Sequence, residues 1–252
     1  MFPVIDDWEA FKTRVRLVCD LIFKAIQGEI NLASVDEKTG IQAVERKIIR
    51  KNGHLRTEYE YKRNGTTCLM ATVDVGTGDI VSHRLNDTRD ENDFLVFIQA
   101  LTDKYQEKDE VVIVADNLNT HMSASLVKWV AKKIKFEGDL GTKGYKGILK
   151  SMESCKKFLE NQSHRVRFVY TPKHCSWLNP IENWFSKLQR QAISRESFES
   201  KEVLCQRIEN YIQYYNKFFA KTLKWKFKGF TKDRKFYEQD TAVESQFNSS
   251  GI

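Results

Sequence analysis

Apolar side chains recur at helical spacing between Asp7 and Ile26, at Trp8, Phe11, Val15, Val18, Ile22 and Ile26, which predicts one amphipathic helix. INLASVDEK then reads as a short apolar strand that ends near a carboxylate, Asp36. A polar, basic connection follows, and TTCLMATVDVGTGDIVSHRL predicts two strands joined by a Gly-Thr-Gly turn. Phe94, Leu95, Ile98 and Leu101 return to helical spacing between Asp90 and Tyr105, with Asp90 or Asn92 as the cap. VVIVAD is apolar and β-branched until it stops at Asp116, the pattern of a central strand buried on both faces. Met122 to Ile134 predicts a helix, Glu137 to Gly147 a glycine-rich loop before a further short helix, and RVRFVY a last strand. After TPKHCSWL, Asn179 is expected as N-cap and Pro180 as the first helical residue, ahead of the apolar stripe Ile181, Trp184, Phe185 and Leu188. A second helix is expected from Glu199 to Phe219. The alternating KTLKWKFKGF comes next, with one face to pack and the other, carrying Lys224, Lys226 and Lys228, to meet solvent or phosphate.

This order predicts an α/β architecture, a mixed five-stranded sheet with helices on both faces. Three antiparallel strands followed by two that arrive through helical crossovers is the strand order of the ribonuclease H-like fold. Residues 1–28 are expected to be a helix and linker, 29–235 the main domain, and 236–252 a polar tail. With 41% hydrophobic and 12% aromatic residues in 252, disorder as the main state is excluded. No apolar run approaches the length of a spanning helix and the amino terminus lacks the features of a secretory signal, so no membrane association and a cytoplasmic location are expected. Cys19, Cys68, Cys155, Cys175 and Cys205 are odd in number and form no Cys-x-x-Cys pair, which points to reduced thiols. The net charge of +7 is uneven: residues 140–235 carry 21 basic and 8 acidic side chains, a balance of +13, and the remainder carries −6. One half is suited to a polyanion.

Phosphodiester cleavage with two metal ions needs carboxylates brought from separate elements to one point, because the ions flank the attacked phosphate about 3.5 to 4 Å apart. Asp36, Asp116 and Glu182 sit at suitable places, and hard oxygen donors favour magnesium or manganese. Each has a plainer reading. A lone strand-end aspartate is usually solvated, and Glu182, counted three residues after Asn179, suits a capping box. Asp74 rivals Asp36, although Gly76 and Gly78 favour a turn role for it.

The segments SVDEKTGIQAVER, VVIVADNLNTH and YTPKHCSWLNPIENWFSKLQR resemble, in order, three signature blocks of bacterial insertion-sequence transposases related to the mariner group, within the DDE endonuclease superfamily. The likeness runs from about Leu32 to Gly229. It implies that Asp36, Asp116 and Glu182 are catalytic and hold two Mg²⁺ or Mn²⁺ ions, with Asp74 structural. The implied chemistry is hydrolysis of DNA at the transposon ends followed by strand transfer, by in-line displacement and without a covalent protein intermediate. Relatives act as dimers, so a homodimer on DNA, at the nucleoid of a prokaryote, is the corresponding expectation.

Two features depart from the family pattern. Relatives carry the second and third carboxylates much closer together, so a segment at about 138–163 is expected to be inserted and to loop out of the sheet. Its lysines form a basic helix against DNA or a solvated surface. The helix-turn-helix modules that precede the core in relatives are also expected to be absent. A catalytic fragment, a product that relies on a separately encoded amino-terminal half, and an inactive DNA-binding remnant remain open, as does a ribonuclease H-like nuclease without strand transfer. Lys173, His174, Trp177, Lys187 and Arg190 border the third carboxylate and are the expected DNA contacts. Both His121 and His174 have structural readings as well, and Trp184 is read as core.

Overall fold

The computed structural model describes residues 5, 7–51, 54–194 and 196–230, so the expected tail at 236–252 lies outside the described residues. Five strands, β1 (Asn31–Lys51), β2 (His54–Asp74), β3 (Ile80–Asn86), β4 (Val111–Ala115) and β5 (Val166–Tyr170), form one sheet in the order β3-β2-β1-β4-β5. β1 pairs antiparallel with β2 and parallel with β4, and β4 pairs parallel with β5. This is the ribonuclease H-like order. β4 is wholly buried between two neighbours, but the middle strand is β1.

Helices cover both faces. Side chains alternate across a strand, so Ala33, Val35 and Ile113 pack with α2 (Glu91–Thr102), α3 (Ala124–Lys133) and α4 (Met152–Leu159). On the other face Leu32, Val112 and Val114 meet α1 (Trp8–Ile26), while Leu69, Ala71 and Val73 meet α5 (Ile181–Leu188) and α6 (Lys201–Phe218). Helix starts follow local chemistry. Asp7 caps α1 by accepting from Ala10 N–H, and Asp90 and Asp93 form a reciprocal capping box at α2. The expected Met122–Ile134 helix divides into a 3₁₀ turn, Asn119–Met122, and α3, whose cap is Ser123. All five cysteines are free thiols. Among the described residues no helix is long and apolar enough to cross a membrane.

Three expectations change. The polar connection after β1 is itself strand: β1 and β2 continue their pairing to Lys51 and His54 through three register shifts, as a two-stranded arm beyond the reach of β3. Arg46, Asn64 and Val44 tie this arm to residues 194–198. Asn179 is not the N-cap of α5. Pro180 occupies that position without a side-chain cap, and the Asn179 side chain points into the protein. The segment at 138–163 is no free loop: Leu149, Cys155, Phe158 and Leu159 are buried with Leu126, Val127 and Val130.

Fully burying a leucine stabilises by about 1.5–3 kcal/mol, and truncation adds a cavity cost. Leu159→Ala is therefore expected to lower unfolding free energy by about 2–5 kcal/mol in chemical denaturation. An unchanged midpoint would mean that this segment is not part of the core.

Candidate active site

The carboxylates singled out above come from three elements. Asp36 lies on β1 with its side chain on the α5 face and is 8% exposed. Its Oδ1 accepts from Glu37 N–H at 2.8 Å and its Oδ2 accepts from Asn179 Nδ2 at 3.1 Å. Asn179, buried, also donates to the Val35 carbonyl at 2.9 Å and accepts from Ser34 Oγ, whose oxygen accepts from Ile181 N–H at 2.9 Å. One asparagine thus fastens the start of α5 to β1. Burial pushes the Asp36 carboxyl up to about 7, the nearby charges of Asp116 and Glu182 add to this, and the Glu37 N–H and the His121 charge oppose it.

Asp116 follows the last residue of β4. Its Oδ1 accepts from Leu118 N–H at 2.9 Å and from His121 Nδ1 at 2.7 Å. Burial would raise this carboxyl, but the His121 hydrogen bond and charge, the Leu118 N–H and the Arg89 charge hold it below its ordinary value. His121 is completely buried, with Nε2 3.0 Å from Glu37 Oε1 and its ring 4.2 Å from that of Phe94. Burial alone would lower its pKa. The hydrogen bonds and charges of Asp116 and Glu37 outweigh that and raise it to about 10, so it is a cation donating from both nitrogens at neutral pH.

Glu182 is the second residue of α5 and is partly exposed. It forms no capping box, because Asn179 N–H donates instead to Ser176 O at 2.7 Å. Burial raises its carboxyl, Lys38 lowers it and the Asp116 charge raises it. The three carboxylates therefore stand in one another's field. Among the described residues no three His, Cys, Asp or Glu side chains are close enough, as placed, to hold a metal ion. Their chemistry nonetheless fits one: three oxygen donors that disfavour each other's ionisation are stabilised by a cation. A cleft of about 350 Å³ between α2, α3 and residues 143–155 contains none of them.

Asp74, the rival to Asp36, performs turn duty, accepting from Thr77 N–H and Tyr105 Oη at 2.9 Å each. Lys173, His174 and Trp177 are exposed in the loop from β5 to α5, where His174 adopts a left-handed φ of 60°. Lys187 lies 5.6 Å over the Tyr215 ring, and Arg190 is exposed in a π turn, Gln189–Ile193, that prolongs α5. Trp184 is core, packed against Phe185, Tyr211 and Tyr215. Glu37, Ser34 and Asn179 were not anticipated as site residues. The signal for Glu37 was its place beside Asp36 on a strand, which sends the two side chains to opposite faces.

The model of the family described as DDE superfamily endonuclease matches residues 32–205, which include Asp36, Asp116 and Glu182. The chain belongs to the DDE superfamily endonucleases. Among solved structures it is similar to the Mos1 mariner paired-end complex with Mn, at 13% identity and a TM-score of 0.51 over 84% of this chain and 57% of that one. The pre-cleavage Mos1 transpososome gives 13% identity and a TM-score of 0.48 over 86% and 62%. The chain thus spans little more than half the length of the first of these, and the likeness is one of fold. A comparison with curated proteins gave no match.

The Asp36 shift has a defined sign. Its folded value, about 7, lies above the ordinary 3.8, so its contribution to stability is full below the lower value and is lost as pH rises through the upper one. In chelator, thermal unfolding of the wild type is expected to fall behind that of Asp36→Asn between pH 4 and pH 7 (roughly the interval between the unfolded and folded values). Parallel curves would show that Asp36 is not buried among like charges.

Proposed function

We propose that this chain is a DNA transposase catalytic domain that hydrolyses a phosphodiester at transposon ends and joins the freed end to target DNA. The observation that carries the reading is the convergence of Asp36, Asp116 and Glu182 from three elements: burial, with the charges of Asp116 and Glu182 adding to it, pushes the Asp36 carboxyl up to about 7. Such a group calls for divalent cations, and Asp36, Asp116 and Glu182 are the residues that would hold Mg²⁺ or Mn²⁺. Bound there, the ions would supply activation of the nucleophile and stabilisation of the leaving oxygen.

In hydrolysis, a water oxygen bonds to phosphorus as the bond to the 3′ oxygen breaks, and the 3′ oxygen leaves as a hydroxyl. In strand transfer, that hydroxyl attacks a target phosphodiester in line and displaces another 3′ oxygen. The chain's own contribution is placement. Asn179 orients Asp36, His121 orients Asp116 while sharing its one positive charge between it and Glu37, and Lys173, His174, Trp177, Lys187 and Arg190 receive the DNA. Action as a homodimer on paired ends completes this reading.

A second reading, a noncatalytic DNA-binding remnant, draws on the separation of the three carboxylates as placed. Nicking assays on transposon-end DNA with magnesium decide between them. Asp116→Ala is expected to abolish cleavage while leaving nonspecific DNA binding within a few-fold of wild type. Wild-type protein that binds but never nicks would establish the remnant, and nicking without end joining would leave a nuclease.

A further inference from the structure

The described chain ends in a segment, residues 221–230, that lies beyond the family match and has no regular secondary structure. It is nevertheless fastened along its length. It passes over the turn between β2 and β3 so closely that a Cβ on Gly78 would meet the Lys221 carbonyl at 2.0 Å, and Leu223 N–H donates to Val75 O at 3.4 Å. Trp225 Nε1 donates to Phe227 O at 2.7 Å, and the Phe230 carbonyl accepts from Arg16 at 2.8 Å. The Phe230 ring lies 6.1 Å from Trp8 and 6.0 Å from Phe11, at the start of α1. The segment therefore climbs antiparallel to α1 from the sheet end where β1 begins toward the end where Asp116 lies. Near the top, Phe227 meets the exposed Trp177 edge to face at 5.3 Å.

Leu223, Trp225, Phe227 and Phe230 pack on the α1 core, and Lys224, Lys226 and Lys228 between them are exposed. Alternate residues of an extended chain repeat about every 6.6–6.8 Å, comparable with neighbouring phosphates along one DNA strand. Three other lysines of the basic half are already spent, Lys143 on Glu91, Lys146 on Asp139 and Lys201 on Asp87. Among the described residues Lys224, Lys226 and Lys228 have no ion-pair partner.

We propose that Lys224, Lys226 and Lys228 form a phosphate rail that holds duplex DNA by one backbone strand, independently of sequence, and leads it past Trp177 to the Glu182 end of the sheet. The segment is pinned by aromatic packing, so the backbone that carries these charges is placed before DNA arrives and little backbone flexibility is lost on binding. The rail rests on the reading of DNA as substrate.

The test is the salt dependence of binding by the full chain to a random-sequence duplex, read by fluorescence anisotropy without divalent ions. Each neutralised phosphate contributes about 0.9 to the slope of log affinity against log salt. The triple variant Lys224→Gln, Lys226→Gln, Lys228→Gln is expected to lower that slope by roughly 2 to 3, and the triple arginine variant to keep it. Single glutamine variants, each lowering it by about 0.9, give the same answer should the triple variant not fold. A folded triple variant with the wild-type slope overturns the rail alone, leaving cleavage and its loss in Asp116→Ala intact. Wild-type protein without affinity for duplex overturns the transposase reading and the rail together.

Discussion

A carboxylate shut inside a protein must be held by donors or given up to a proton, and the arrangement of Asp36 expresses both pressures. Asn179 donates to its Oδ2 and to the backbone beside it, and the same asparagine is braced by Ser34, which also satisfies the Ile181 N–H. Such bonds contribute about 0.5–1.5 kcal/mol each, but leaving one of these buried groups unpaired costs about 1–3 kcal/mol. The entry of α5, and with it Glu182, is consequently locked to β1. His121 does the same for Asp116 from the opposite face of the sheet, where Glu37 shares its charge. The site is a set of mutually unfavourable charges whose positions are enforced by neighbours rather than by one another.

Much of the frame is legible in residue order because its signals are local. Asp7 and Asp90 announce helices, apolar stripes give their buried faces, and VVIVA can only be an interior strand. The arm of β1 and β2 escaped because its sequence is rich in charged residues without a clear alternation, and the cross-strand pairing that forms it is not a local pattern. The Asn52-Gly53 dipeptide was the available hairpin signal amid those charges. Asn179 was misread because asparagine favours a cap and a buried bond network for the same reason, a short side chain with both donor and acceptor. Its partner lies 143 positions away, and no local pattern reports that.

Charge counting met a similar limit. The balance of +13 over residues 140–235 suggests a surface for a polyanion but does not say where it lies. Within the segment at 138–163, Lys156 is half-buried, donates to Asn117 at 2.8 Å and sits over the Tyr170 ring, so burial lowers its pKa and it braces the turn after Asp116. Lysines that support the fold and lysines that face solvent look alike in sequence. Only their partners separate them.

On this reading Asp36, Asp116 and Glu182 close on a common cation. A crystal structure of the full chain soaked with manganese, with anomalous scattering recorded, tests it most directly. Anomalous density is expected between oxygens of Asp36 and Asp116, with Glu182 reaching it. Manganese bound elsewhere, with Glu182 still apart from the two aspartates, would contradict it.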